Sequence, residues 1–145
     1  ISKKFDCKIT CPIDVVVSKS IEGVGENKDI KEINDDEIIL DIGLKTISLI
    51  KKIINDSNTV LWNGPAGYFE NPSFQTGTKE ILEIISQKTI NDKIFSVAGG
   101  GETVAAINKF KKLDSFTFVS TAGGAFLEYL EGKTLPGIKA LNQNV

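Results

Sequence analysis

Two short stretches of this chain place glycines between an apolar run typical of a β-strand and a pattern typical of a helix. Residues 95–103 read Phe-Ser-Val-Ala-Gly-Gly-Gly-Glu-Thr, and residues 118–125 read Phe-Val-Ser-Thr-Ala-Gly-Gly-Ala. Glycine lets the backbone approach a ligand closely, and the free N–H groups and positive dipole end of the following helix attract an anion. Because successive turns of a parallel sheet emerge at the same carboxyl edge, the pair predicts a site for a polyphosphate. Either turn alone could equally serve to pack a helix against a strand.

Composition and charge exclude several classes of protein. The chain has 145 residues, 41% of them hydrophobic and 25% charged, which fits one domain with its own core. Its net charge is −2 and its lysines are scattered, so no basic stripe for nucleic acid is expected. We find no apolar run long enough to cross a membrane and no signal-peptide pattern. The sequence therefore predicts a cytoplasmic protein that binds neither nucleic acid nor membrane.

Three absent residue types limit the chemistry of this chain. It contains no methionine and no histidine, and all 17 basic residues are lysine. We expect a piece of a longer protein, since no initiating methionine is present. Without histidine or arginine, neither a histidine-based triad nor a bidentate arginine clamp on phosphate is available. Cys7 and Cys11 are predicted to be buried small apolar residues rather than a disulfide or a metal site.

Strand and helix patterns alternate along most of the chain. A β-branched run over 8–18, interrupted by Pro12, precedes a polar segment over 22–37 that reads as a loop. Further strands are expected over 38–41, 59–62, 94–98 and 116–120, and each is followed by apolar residues at helical spacing. Residues 135–141 are expected to form an extended or irregular tail. Four strand-then-helix units predict a single α/β domain with a Rossmann-like parallel sheet and helices on both faces.

Four motifs carry a resemblance to a known family. They are Trp-Asn-Gly-Pro-Ala-Gly-Tyr-Phe-Glu at 62–70, Ala-Gly-Gly-Gly-Glu-Thr at 98–103, Ser-Thr-Ala-Gly-Gly-Ala at 120–125, and Glu-Gly-Lys-Thr-Leu-Pro-Gly at 131–137. In order and spacing they resemble phosphoglycerate kinase, over essentially the whole chain. The resemblance implies that residues 1–145 are a partial carboxyl-terminal, nucleotide-binding domain, and that the amino-terminal substrate domain of a two-domain enzyme is absent.

The resemblance also implies a reaction. It is the glycolytic, reversible transfer of a phosphoryl group from 1,3-bisphosphoglycerate to MgADP, which gives 3-phosphoglycerate and MgATP. ADP or ATP would bind to this chain, and the complete protein would be a monomer. The family's phosphate-clamping cations lie in the amino-terminal domain and upstream of Ile1, so the isolated chain is expected not to turn over.

Site residues are carried over from the matching motifs. The implied nucleotide-binding residues are Leu40 at the adenine, Asn63 and Glu70 at the ribose and adjoining nucleotide, Gly100, Gly101, Glu102 and Thr103 at the phosphates and Mg²⁺, and Gly123 and Gly124 closing the site. Gly101 and Gly124 are taken as catalytic positions, and Glu102 as the metal position. We expect these residues to line one crevice at the carboxyl ends of parallel strands.

Departures from the family pattern leave alternatives open. Leu44 replaces a common proline, Ala122 replaces the first glycine of a triplet, and Glu102 stands where the family has aspartate. Glu102 could instead be an ordinary acidic residue in a helix's first turn, and Glu70 an ordinary surface carboxylate. The chain could also belong to a catalytically impaired nucleotide-binding homologue, to another doubly wound enzyme of sugar phosphates, or to a non-catalytic interaction module.

Overall fold

The computed structural model describes residues 2–92 and 94–142. These residues form two three-stranded sheets with helices packed around them. The strands are β1 (Asp14–Ser18), β2 (Glu26–Asp29), β3 (Ile38–Ile42), β4 (Thr59–Asn63), β5 (Phe95–Gly99) and β6 (Phe118–Val119). The helices are α1 (Ser2–Phe5), α2 (Leu44–Asn55), α3 (Thr76–Asn91), α4 (Gly101–Lys109), α5 (Gly124–Leu130) and α6 (Pro136–Asn142). Each of β3 to β6 is followed by a helix, as predicted.

The second sheet is the parallel part of this α/β fold. Its strands follow the order β4-β5-β6, and both pairs run parallel. Asn63 lies opposite Gly99, so the loops after β4 and β5 leave the sheet at the same edge. Strand β6 covers only two residues of the predicted 116–120. The α/β class and the parallel sheet predicted from the sequence are confirmed.

The first sheet differs from the prediction, because it is antiparallel. Its order is β2-β1-β3, and β1 pairs antiparallel with both neighbours. The expectation that the strand at 38–41 joins the parallel sheet is therefore wrong. The loop predicted over 22–37 is also wrong in part, since β2 forms within it. Because β2 reads Glu-Asn-Lys-Asp and lies at a sheet edge with two exposed residues, it lacks the apolar pattern that identifies a buried strand.

Two other expectations fail near the chain's ends. Residues 136–142 form α6 rather than an irregular tail: Pro136 occupies the first helical position, where proline is well suited, and the Leu135 carbonyl accepts from Lys139 N–H at 2.9 Å. Cys7 and Cys11 are exposed rather than buried, and neither forms a disulfide. They lie outside any strand, because β1 begins only at Asp14. Among the described residues, no helix is long and apolar enough to cross a membrane.

A common hydrophobic core joins the helices to the parallel sheet. Trp62 and Phe69 are buried, and the Trp62 ring stacks on Phe116 with centroids 6.1 Å apart. Ile81 and Ile85 of α3 and Ile107 of α4 pack in the same cluster. On the other face of the sheet, Leu61, Phe95 and Phe118 are each about half exposed. The register places Leu61 and Phe118 on either side of Val97, so these side chains share that face.

Candidate functional site

The first glycine turn is fixed by contacts between the ends of β4 and β5. Gly100 has a φ of +92°, a conformation that other residues rarely adopt. A Cβ at Gly100 would come within 2.7 Å of the Asn63 side-chain nitrogen. That nitrogen donates to the Gly99 carbonyl at 2.7 Å. Both features favour glycine at position 100, and Asn63 lies directly against the turn.

Thr103 ties the next loop to the same turn. Its side chain is fully buried, and its Oγ1 accepts a hydrogen bond from Gly64 N–H at 2.7 Å. The segment after β4 is thereby attached to the first turn of α4. The Thr103 hydroxyl oxygen, which the sequence predicted to lie at a phosphate, therefore already accepts one structural hydrogen bond.

The second glycine turn faces the first. Gly123 has a φ of +58°, which again favours glycine. Gly100, Gly101 and Gly123 line one cavity of about 160 Å³, together with Ser120 and Thr121. The two turns therefore open into shared space at the carboxyl edge of the parallel sheet. Gly124 begins α5 next to this cavity without lining it.

A second cavity, of about 280 Å³, adjoins the first at Gly100 and Gly101. Glu102 contributes an exposed carboxylate to it, and the remaining lining residues are Asn63, Gly64, Pro65 and Thr103. Within residues 2–92 and 94–142, no group of three or more acidic, cysteine or histidine side chains could hold a metal ion by itself. Mg²⁺ commonly takes one or two carboxylates and completes its octahedron with phosphates and waters. A single carboxylate such as that of Glu102 does not by itself form a dedicated protein cage for a metal ion.

The third cavity, of about 520 Å³, is the largest of the three and predominantly apolar. Leu40 lines it with Val15, Ile39 and Tyr68, and Pro65 lines both this cavity and the previous one. Tyr68 N–H donates to the Leu40 carbonyl at 2.7 Å, which holds the loop after β4 against β3. The three cavities thus form a series that runs from Leu40, past Pro65, to the glycine turns.

Asp41 is a lining residue of this apolar cavity that the sequence did not single out. Burial raises the pKa of its carboxyl group, although hydrogen bonds from the N–H groups of Gly77, Ile42 and Thr76 oppose the increase. The bonds from Gly77 and Ile42 measure 2.8 and 2.9 Å. A Cβ at Gly67 would lie 2.4 Å from Asp41 Oδ1, so loop and carboxylate are in close contact. In the sequence, the feature that could have identified Asp41 is its position as the single acidic residue in the apolar run of β3.

The expected single crevice is therefore only partly observed. Asn63 and the two glycine turns lie together at the ends of parallel strands. Leu40 belongs to the antiparallel sheet instead, and it reaches the group through the adjoining cavity. Glu70 is exposed and lines none of the three cavities, although its neighbour Phe69 is buried below the loop.

Two departures from the family pattern have simple local explanations. Leu44 begins α2, and its N–H, which proline would lack, donates to Asn27 Oδ1 at 3.1 Å. Ala122 needs no positive φ: among the described residues, the non-glycine positions with positive φ are Asp6 and Lys111. The backbone of the second turn therefore accommodates a methyl group at position 122.

Fold and cavities together define the class: a Rossmann-like α/β protein with its concave surface at the carboxyl edge of a parallel sheet. The family model described as phosphoglycerate kinase matches residues 1–133. A phosphoglycerate kinase of Blochmanniella floridana is 46% identical over 141 residues, covering 96% of this chain and 34% of that protein. One from Xanthobacter autotrophicus is 42% identical over 144 residues, covering 98% and 36%.

A solved structure that resembles this chain belongs to the same family. The solved phosphoglycerate kinase from Coxiella burnetii has a TM-score of 0.89 to this chain at 38% identity, covering 99% of this chain and 36% of that one. The chain belongs to the phosphoglycerate kinase family, and it spans about a third of the length of the relatives that it matches.

Proposed function

We propose that this chain is the nucleotide-binding portion of a phosphoglycerate kinase. The observation that carries the proposal is the series of three adjoining cavities, apolar at Leu40 and lined by glycine turns at the other end. A nucleotide has the same order of properties, with an apolar planar base, a ribose and an anionic tail. Sites for such ligands are concave and mostly apolar, with a few placed polar groups.

Each part of the series suits one part of ADP or ATP. The Leu40 cavity excludes water from an adenine, and Tyr68 supplies an aromatic side wall. Gly100, Gly101 and Gly123 leave space for phosphate oxygens near the positive end of α4. Glu70 lies outside the three cavities, and its exposed carboxylate would accept hydrogen bonds from the ribose hydroxyls, while Asn63 holds the turn between sugar and phosphates.

Glu102 would hold Mg²⁺ in this proposal, directly or through water. When bound, the ion neutralises negative charge on the phosphates. The carboxylate itself lies in the first helical turn, where the dipole stabilises negative charge. Gly101 and Gly124 would come nearest to the phosphoryl group that moves between ADP and 1,3-bisphosphoglycerate.

The reaction needs groups that this chain does not supply. Phosphoryl transfer depends on positioning and on cations around the migrating group. The basic residues here are lysines only, so we assign binding of 3-phosphoglycerate or 1,3-bisphosphoglycerate to an amino-terminal domain of the same protein. The complete protein would be a monomer in the cytoplasm.

Titration with ADP tests the nucleotide assignment. We expect saturable binding, competition by ATP, and NMR shifts of the amides of Gly100, Gly101 and Gly123. Leu40→Gln should weaken binding, because it places an amide in the apolar cavity. Leu44→Gln serves as the matched control, since Leu44 is exposed at the start of α2. Absence of saturable binding, or shifts confined to other regions, would contradict the proposal.

A further inference from the structure

We propose that Lys109 is a positioning residue for Glu70, so that α4 orders both the phosphate end and the ribose end of the site. The inference rests on the proposed function, because it concerns how Glu70 reaches a ribose. Lys109 lies at the last position of α4, and Glu70 lies in the loop after β4. The two residues are 39 positions apart in the sequence.

Both hydrogen bonds found for the Lys109 ammonium group go to main-chain carbonyls of that loop. Its Nζ donates to the Phe69 carbonyl at 2.5 Å and to the Glu70 carbonyl at 3.3 Å. The same Nζ lies 5.6 Å from the centre of the Phe69 ring and 5.8 Å from that of Phe110. A lysine near two ring faces gains cation–π attraction in addition to its hydrogen bonds. The ammonium group therefore holds the backbone at Phe69 and Glu70 rather than an acidic side chain.

The rest of the loop is anchored on either side of this contact. Tyr68 N–H donates to the Leu40 carbonyl at 2.7 Å, and the Asn71 side chain donates to the Ile21 carbonyl at 2.7 Å. None of the hydrogen bonds and ion pairs found among the described residues uses the Glu70 carboxylate. Its location is therefore set through its main chain, which Lys109 contacts.

Helix α4 connects this contact to the glycine turn. Gly101 begins the helix beside Gly100, and Lys109 ends it. At about 1.5 Å per residue the two ends are about 12 Å apart. Because Thr103 also bonds to Gly64, the helix holds the loop after β4 at both the Gly64 and the Glu70 end. A change in the position of α4 thus moves the phosphate-side turn and the ribose-side carboxylate together.

Lys109→Met tests the inference, since it removes the ammonium but keeps an unbranched apolar side chain. The experiment uses the natural polypeptide that contains these residues. Lys112→Met is the control, because it removes an ammonium group that pairs with Glu83 of α3 at 3.0 Å rather than with the loop after β4. Without nucleotide, we expect amide hydrogen exchange at residues 69–71 to rise about tenfold in Lys109→Met, as for the loss of one charge-assisted hydrogen bond. Residues 103–106 of α4 should keep their exchange rates. Lys109→Arg should restore protection, because a guanidinium can donate to both carbonyls.

Nucleotide analogues then report on Glu70. The affinity of Lys109→Met for ADP should fall several-fold, while its affinity for 2′,3′-dideoxy-ADP should not change. The ratio of the two affinities should therefore be smaller in the variant than in the wild type. Unchanged exchange at 69–71, or equal losses for both nucleotides, would overturn the inference. If the wild-type protein binds neither nucleotide, the proposed function fails, and the exchange result alone decides whether Lys109 holds the loop.

Discussion

At the scale of single residues, Gly100 and Gly101 are neighbours with opposite tolerance for a side chain. Gly100 combines a φ of +92° with a Cβ contact of 2.7 Å to Asn63, whereas a Cβ at Gly101 would meet nothing within 4 Å. We expect Gly100→Ala to lower the free energy of unfolding by about 1–3 kcal/mol, the usual cost of such a backbone conformation. Gly101→Ala should leave stability nearly unchanged. Urea denaturation of both variants checks this, and equal losses would contradict it.

Gly101→Ala also separates stability from ligand binding. Its methyl group would occupy space in both cavities that Gly101 lines. If phosphates bind there, this variant should lose ADP affinity while its unfolding midpoint stays the same. Unchanged affinity would mean that ligand atoms do not approach Gly101.

Glu102 is the proposed Mg²⁺ position, and it is one methylene longer than aspartate. Its extra methylene, about 1.5 Å relative to aspartate, can be absorbed by rotation or by a bridging water, since Mg²⁺ readily keeps waters. Glu102→Asp should preserve or improve ADP affinity with Mg²⁺, and Glu102→Ala should weaken it only when Mg²⁺ is present. Calorimetric titration with and without Mg²⁺ measures both. Equal affinity of wild type and Glu102→Ala under both conditions would leave Glu102 with a purely structural role.

The sequence could predict that Asn63 and the glycine turns meet, because strand-ending motifs in parallel strands converge at one edge. It could not predict that Thr103 Oγ1 accepts from Gly64 or that Lys109 reaches Phe69. Both contacts join residues about 40 positions apart, and they depend on how α4 packs. Asp41 was missed for the same reason, since its partner Gly77 belongs to another element.

At the scale of elements, the start of α2 depends on a carboxylate from β1. Asp14 is fully buried: its Oδ1 accepts from Thr46 N–H at 2.7 Å, and its Oδ2 accepts from Lys45 N–H at 3.0 Å. Burial by itself would raise the pKa of Asp14, but these bonds and those from Thr46 Oγ1 and Asn27 lower it below 3.8 overall. The carboxylate serves as the helix cap that Gly43 cannot provide.

Asp14→Asn should destabilise the fold by about 2 kcal/mol at neutral pH, because an NH₂ group would face backbone donors. A carboxyl group with a lowered folded-state pKa contributes stability above its unfolded-state pKa, near 3.8, and loses it as the pH falls through the folded-state value. The difference between wild type and variant should therefore shrink at acidic pH. Urea denaturation from pH 6 to pH 3 measures it, with Asp36→Asn, at an exposed ion pair, as the control. A pH-independent difference would contradict the capping role.

Elements with strong apolar patterns were predicted well, and those without them were not. Strands β4 and β5 and helices α3 and α4 fall close to their predicted positions, because their buried residues recur with the right period. Strand β2 is polar and forms only because it pairs with β1. Periodicity also cannot tell whether β3 pairs parallel or antiparallel with its neighbour. The direction follows from pairing with β1, which runs antiparallel to β3.

At the scale of the whole molecule, the chain corresponds to about a third of its relatives and carries no arginine. We expect no ATP formation from 1,3-bisphosphoglycerate and MgADP by this chain alone, because no bidentate cation is present to hold the transferred group. A coupled assay with a complete phosphoglycerate kinase in parallel checks this. Activity near that of the complete enzyme would refute the division of labour, and recovery on adding an amino-terminal domain would support it.

The aspartates of the antiparallel sheet have a kinetic consequence. Asp14 contacts the start of α2 across 32 residues, and Asp41 contacts the start of α3 across 36. Neither helix can gain its cap until a long stretch of chain has closed, and such non-local contacts slow folding. The amino-terminal turns of α2 and α3 therefore become stable only when β1 and β3 are in place, so sheet assembly and helix initiation occur as one cooperative step.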